Sequence, residues 1–341
     1  MTRAEPGRPA RTLAGALAWS ATLALLLVGS APARAQTTEE QEQILEQARF
    51  GRDLWLGLRD RLTGLRVRAE QDFLLGARYD DTGLDWLRSG ISLGGGIPIG
   101  SRFEGIAVSL STAVVDPVVD GSPDILDLPG TDDDPFDPLL ESSLGLGTRF
   151  DLPLRFNVEI NAGISARHEI GAEFSSALAT AGSLAVGYRY GSWLRLRLGV
   201  GLGSTIERAD LTVSPVFRVR IRPVPGVWLE TDGTAGRVEW QATPRLQLAL
   251  FGGVDSKRYR LAKRGPTLEA GSLELAKSEV GLGLRTPLSR DLRFQLQTAI
   301  VLGQRITLLD EDRDEIDARD TREPTFALRL RIDWAVPGRT L

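Results

Sequence analysis

Trp193-Leu-Arg-Leu-Arg-Leu-Gly-Val-Gly-Leu-Gly203 is the stretch that decides the fold. Leu194, Leu196, Leu198, Val200 and Leu202 fall on one face of an extended chain. Arg195, Arg197, Gly199, Gly201 and Gly203 fall on the other. Strict alternation with period two describes a β-strand whose two faces meet different surroundings. Working outward, the pattern recurs from Leu65 to Trp334 in segments of roughly ten residues separated by turn signals. Such repetition predicts an all-β protein, an antiparallel transmembrane β-barrel of about fourteen strands, or alternatively about twelve.

Composition permits this reading and excludes others. Apolar residues make up 42% of the chain and charged residues 25%, with a net charge of −4. A barrel strand gives only half its residues to lipid, so these values fit a membrane protein. No run of about 18 apolar residues follows residue 36, which excludes helical membrane spans in the mature chain. The near-neutral balance argues against bulk nucleic-acid binding. The absence of Cys excludes disulfides, thiol nucleophiles and thiolate metal sites, and the single His168 excludes a His-rich metal site. The Gly-Gly-Gly and Gly-Leu-Gly-Leu stretches precede no helix, so they are strand glycines rather than phosphate loops. No cofactor is expected.

The first 35 residues read as a signal peptide. Arg3, Arg8 and Arg11 precede the apolar run Leu13 to Val28, and Ala33-Arg34-Ala35 is a small-x-small cleavage site that starts the mature chain near Gln36. Residues 36–64 form a short N-terminal segment of different character. Glu39, Glu40 and Glu42 are followed by Leu45, Ala48, Leu54, Trp55, Leu58 and Leu62 at spacings that suggest an amphipathic helix. Thr38 would cap it and Thr63-Gly64 would end it. It would pack at the barrel mouth in the periplasm, plug the lumen, or self-associate. The barrel itself spans 65–336, and 337–341 is a tail.

Candidate strands are 65–78, 86–99, 103–114, 140–151, 154–166, 176–190, 193–205, 210–222, 226–232, 235–241, 245–259, 272–286, 291–307 and 322–335. Tight turns occur at 99–101, 152–153, 191–192, 223–225, 243–244 and 287–290. The longer connections are 79–85, 115–139, 167–175, 260–271 and 308–321. Short periplasmic turns alternating with longer outer loops are the pattern of outer-membrane barrels. If both chain ends are periplasmic the strand number is even, and the turn signal Asp232-Gly233 splits 226–241 to satisfy this.

The alternation assigns faces. Leu154, Phe156, Val158, Ile160 and Ile164 point outward, as do Leu211, Val213, Phe217, Val219 and Ile221, and Phe326, Leu328, Leu330, Ile332 and Trp334. Tyr79, Trp86, Phe103, Phe150, Tyr188, Tyr190, Trp228, Trp240 and Trp334 lie near strand ends, where an interfacial aromatic girdle is expected. The inward set is rich in arginine: Arg149, Arg155, Arg189, Arg195, Arg197, Arg218, Arg220, Arg222, Arg293, Arg329 and Arg331, with Arg66, Arg68, Arg245 and Arg285. An arginine near the bilayer midplane on the lipid face costs about 2–4 kcal/mol, so these residues belong to the lumen. Inward Glu70, Asp72, Glu159, Glu239, Glu279 and Asp333 are fewer. Such an interior suits a passive pore for small anionic or polar solutes. Its alternative is an ion-paired interior in a non-conducting structural or surface-interaction barrel.

Two motifs invite chemistry. Asp116, Asp120, Asp124, Asp127, Asp132, Asp133, Asp134 and Asp137 cluster in one loop, and Asp310, Asp312 and Asp314 alternate in another. Carboxylate oxygens suit a divalent cation, yet Glu315 and Thr321 occupy positions where a calcium-binding EF-hand needs Gly and Glu. A solvated acidic loop is the plainer account. His168-Glu169 with Ser175 and Ser176 invites comparison with a barrel hydrolase, but no Gly-x-Ser-x-Gly elbow accompanies them, and no catalytic residue is assigned.

From residue 65 to 336 the chain resembles bacterial outer-membrane β-barrel proteins of an uncharacterised family. The resemblance rests on the export signal, the alternating strands and the aromatic-ended last strand Phe326-x-Leu-x-Leu-x-Ile-x-Trp334. Ala335 to Leu341 follow that aromatic, where many members end on it. The resemblance implies an outer-membrane location, lipid around the barrel, and recognition of Phe326 to Trp334 by the barrel assembly machinery.

Overall fold

In the computed structural model the described residues are 65–79, 82–97, 103–120, 136–206, 208–263, 271–310, 314–321 and 323–336. The signal peptide, the 36–64 segment and the 337–341 tail lie outside them. Alternation becomes strand throughout: β1 (Arg66–Leu75), β2 (Arg78–Tyr79), β3 (Thr82–Ile97), β4 (Phe103–Asp120), β5 (Leu139–Asp151), β6 (Phe156–Glu169), β7 (Leu178–Tyr190) and β8 (Leu194–Thr205). The second half holds β9 (Arg208–Val224), β10 (Val227–Asp232), β11 (Ala235–Thr243), β12 (Leu246–Arg260), β13 (Ser272–Pro287), β14 (Leu292–Leu309), β15 (Glu315–Asp320) and β16 (Thr325–Ala335).

Each barrel strand pairs antiparallel with its neighbours, and β1 pairs with both β3 and β16, which closes the sheet. Leaving out the short β2 and the side strand β15, the wall has fourteen strands. Closure removes every sheet edge from the wall, the condition for a sheet to stand in hydrocarbon. Both ends of the described barrel and most of the tight turns fall at one end, the periplasmic end by the usual rule, and the longer connections fall at the other, together with the tight turn between β10 and β11. The hairpin split at Asp232-Gly233 is present, with Gly233 at φ +57° in the turn between two short strands.

The two faces differ as the alternation requires. On β8, Leu198, Val200 and Leu202 are exposed, while Arg197, just before them on the opposite face, is only 7% exposed. The inward glycines do more than leave room. A Cβ on Gly199 would lie 2.3 Å from the Leu184 carbonyl oxygen, so glycine there permits the close approach of β7 and β8.

Several boundaries move. β4 runs to Asp120 rather than ending near 114, because β3 starts at Thr82 and pairs with it to the end; Val114, Val115 and Val118 suit such an extension. Leu154 and Arg155 are not strand residues. They form a turn after Pro153 with φ of 62° and 70°. The acidic 308–321 connection is not wholly irregular: β15 pairs there with the protruding end of β14, and Arg305 meets Glu315 at 3.2 Å and Asp320 at 4.0 Å.

The expected aromatic girdle is seen in part among the described residues. Phe150, Tyr190, Trp240 and Trp334 are exposed near the periplasmic turns. Tyr79 and Trp86 are instead buried, and Trp228 turns toward the lumen arginines. Nearness to a strand end does not fix a side chain's face; phase does, and the register shift between Val227 and Leu229 disturbs phase locally. The Phe103 side chain lies outside the described residues.

Candidate functional site

The closed wall encloses a lumen, and the described inward side chains fill it differently at its two ends. At the outer end Leu84, Trp86, Val115, Leu139, Leu261, Leu273, Ile306 and Leu308 are buried together in one apolar cluster. Phe136 stacks on Trp86 with ring centroids 6.5 Å apart. The outer end of β12 crosses toward β6, where Arg260 pairs with His168 in parallel although five wall strands lie between them. Glu169, fully buried, accepts the backbone N–H of Asp137 and of Ala262, each at 2.8 Å, and so ties the chain before β5 to the end of β12.

Just inside this cluster sits Glu141 of β5. Arg88 Nε of β3 donates to it at 2.9 Å, Tyr259 Oη of β12 at 2.6 Å, and Lys257 Nζ of β12 forms an ion pair with it. β5 and β12 are not neighbours in the wall, so these contacts cross the lumen. Arg88 also pairs with Glu70 and, at 3.4 Å, with Asp72. Arg331 reaches Glu70 at 3.0 Å, which carries the network to β16.

Nearer the periplasmic turns, arginines predominate. Arg197 pairs with Glu159 at 3.1 Å and Arg218 bonds Glu230 at 2.7 Å. Arg220 meets Glu239 at 3.1 Å and Glu230 at 3.5 Å, and Arg237 shares Glu239 at 2.9 Å. Arg329 pairs with Glu279, and Arg149 with Asp151 at 3.2 Å. Contacts such as Arg197–Glu159 and Arg220–Glu239 skip a strand, an approach that the concave face of a closed sheet favours. Arg195, Arg220 and Arg222 surround the Trp228 ring at 5.9, 4.6 and 5.2 Å from its centroid.

The sequence-selected arginines thus fall in separate places. Arg189, Arg195, Arg197, Arg218, Arg220 and Arg222 gather on β7, β8 and β9. Arg329 and Arg331 belong to the β16 network, and Arg293 stands exposed near the turn before β14. Arg155 lies in the turn before β6, with its guanidinium 5.9 Å from the Tyr190 ring centroid. Alternation did not reveal Glu141, Lys257, Tyr259 or Glu169. Their signal is a carboxylate or cation at an inward position close to an outer strand end.

The other motifs dissolve into local structure. Asp314 N donates to Asp310 Oδ1 at 2.8 Å, so this pair closes the β14–β15 turn; Asp312, Asp124, Asp127 and Asp132 to Asp134 lie outside the described residues. Among the described residues no three His, Cys, Asp or Glu groups converge as metal ligands. His168 Nδ1 lies 2.9 Å from the Glu169 carbonyl oxygen, and Ser175 and Ser176 donate to Glu173 rather than to His168.

No protein-family model matches the chain, and no curated protein does. Among solved structures it is similar to an outer-membrane channel from Pseudomonas putida F1, at 9% identity, 80% of this chain, 96% of that one and a TM-score of 0.44. It is also similar to the translocator domain of the autotransporter NalP from Neisseria meningitidis, at 10% identity, 88% and 99% coverage and a TM-score of 0.34. LpxR from Salmonella typhimurium gives 9% identity, 79% and 100% coverage and a TM-score of 0.35. The physical case rests on the chain itself. A closed antiparallel barrel with an apolar outer face and a charged interior is an outer-membrane β-barrel, and the protein resides in the bacterial outer membrane.

Proposed function

We propose that this barrel is a small-solute channel in a conformation closed at its outer end, with an arginine-lined lumen that favours anionic and polar solutes. The observation that carries the reading is the Glu141 tie. It holds strands on opposite sides of the lumen by ionic and hydrogen-bonded contacts, which can break and re-form. Rings of basic side chains favour anions, and low-dielectric walls focus their field. The reading includes no catalysis and no nucleic acid. Outer-membrane lipid would cover the apolar face, and the barrel assembly machinery would receive Phe326 to Trp334.

The test is planar-bilayer conductance of the wild type and of Glu141→Gln. The wild type should open rarely and the variant more often, with a reversal potential of anion sign that fades as salt rises past the roughly 10 Å screening length at 0.1 M. A second reading, a non-conducting structural or surface-interaction barrel, is favoured by the apolar cluster and by the Arg260–His168 pairing. Silence from both proteins would decide for it.

A further inference from the structure

Four adjacent strands run past their neighbours at the outer end. On one side the pairing of β11 with β12 stops at Ala235, opposite Gly253. On the other, the pairing of β16 with β14 stops at Thr325, opposite Val301. Beyond those points β12, β13, β14 and β15 still pair with one another, as far as Arg260–Ser272, Ser272–Leu309 and Leu309–Glu315. The points of departure line up across the sheet: Gly253 stands opposite Glu279, and Glu279 opposite Val301. A register shift between Ser278 and Glu279 falls on the same line, and such shifts bend a sheet. Pro324, which has no N–H to give a ladder, separates β15 from β16 there.

Past this line the alternation of burial fails. Arg258, Tyr259, Arg260 and Leu261 are buried in succession, and so are Ser272, Leu273 and Glu274. A segment buried on both faces has left the wall and entered the mouth. There Arg260 pairs with His168, the Ala262 N–H donates to Glu169, and Tyr259 and Lys257 meet Glu141. Tyr259, Leu261 and Leu273 share the apolar cluster with Leu84, Trp86 and Leu139. Closure also leaves Tyr79 Oη, Trp86 Nε1 and Ser272 Oγ buried without a hydrogen-bond partner. Each has lost its hydration and gained no bond, which works against the closed position.

We propose that the outer parts of β12 to β15 form one hinged flap, which turns on the Gly253–Glu279–Val301 line and opens or closes the outer mouth as a unit. The inference rests on the closed-channel reading above and names the part that moves; its primary readout does not require conduction.

The chain has no cysteine, so an introduced one is the only thiol. The experiment measures labelling of the folded full barrel by a water-soluble maleimide at Leu273→Cys, in the flap, and at Ala249→Cys, buried on β12 before the hinge line. Glu141→Gln should speed labelling at Leu273→Cys about fivefold, the effect of weakening one or two hydrogen bonds. Labelling at Ala249→Cys should stay unchanged. Where Leu273→Cys fails the heat-modifiability check of folding, Leu261→Cys replaces it. A second protein carries His168→Cys with Arg260→Cys, the bridged pair. Diamide oxidation to the disulfide should slow amide exchange at Ala262 and silence bilayer current, and dithiothreitol should reverse both. Equal responses at Leu273→Cys and Ala249→Cys, or none at either, overturn the flap, as does a disulfide that leaves Ala262 exchange unchanged. Controlled labelling and exchange without current in any state removes the channel and leaves the flap. Current that persists through the disulfide removes the flap and leaves the channel.

Discussion

The two ends of the lumen solve opposite problems with one wall. At the outer end the inward positions hold Leu84, Trp86, Leu139 and Leu273, and the charge just beneath them, Glu141, is met by three donors. Near the periplasmic turns the inward positions hold arginines whose carboxylates are shared and whose nearest cover is one indole ring. The outer end is organised to exclude water and hold strands together. The periplasmic end sets arginine opposite arginine across neighbouring strands and shares carboxylates among them. Alternation is the same along both; what changes is which residue type occupies the inward positions.

This contrast breaks most severely where the apolar cluster is hollowed. Trp86→Ala should destabilise the barrel by about 3–5 kcal/mol, the usual cost of removing a buried large aromatic. The checking measurement is the temperature at which the compact electrophoretic band is lost. A shift no larger than that of an exposed-residue variant would mean the cluster does not seal the outer end. Glu141→Ala comes next, at about 3 kcal/mol, because it leaves Lys257 without this carboxylate's charge. The effect sits at the low end of that range since Arg88 keeps Glu70 and Asp72. Glu169→Gln should cost about 1–2 kcal/mol: an amide can still accept one of the two backbone N–H groups but offers an NH2 to the other. Hydrogen exchange at Asp137 and Ala262 should rise in that variant while exchange in β8 stays unchanged.

The wall was legible in the sequence because its information is local. Leu194 to Gly203 states its own periodicity, and parity together with the turn signal at Asp232-Gly233 favours fourteen strands over thirteen; fourteen is the number the wall has once β2 and β15 are set aside. The outer seal was not legible because its contacts are long-range. Nothing near Glu141 in the chain points to Lys257 or Tyr259, which meet it only once β12 leans across the lumen. Trp86 and Trp228 misled for a related reason: position near a strand end suggests an interface, whereas the pleat decides which side a ring takes. Glu315 to Asp320 alternates weakly and pairs only because β14 projects far enough to offer it an edge.

The smallest expected effect has the most informative sign. Arg189 is exposed at the periplasmic rim and stands directly opposite Arg195, with no carboxylate partner among the described residues. Removing a surface arginine ordinarily changes stability little, and where the arginine is ion-paired it lowers it. Here Arg189→Ser removes a repulsion, so it should raise stability by about 0.2–0.5 kcal/mol at low salt. The gain should vanish near 1 M salt, where screening acts within about 3 Å. Thermal unfolding in chloride at low and high salt is the measurement that checks it. A loss of stability at low salt would show that the periplasmic arginines are as well balanced as the outer ones, and the difference between the two ends would then be one of apolar packing alone.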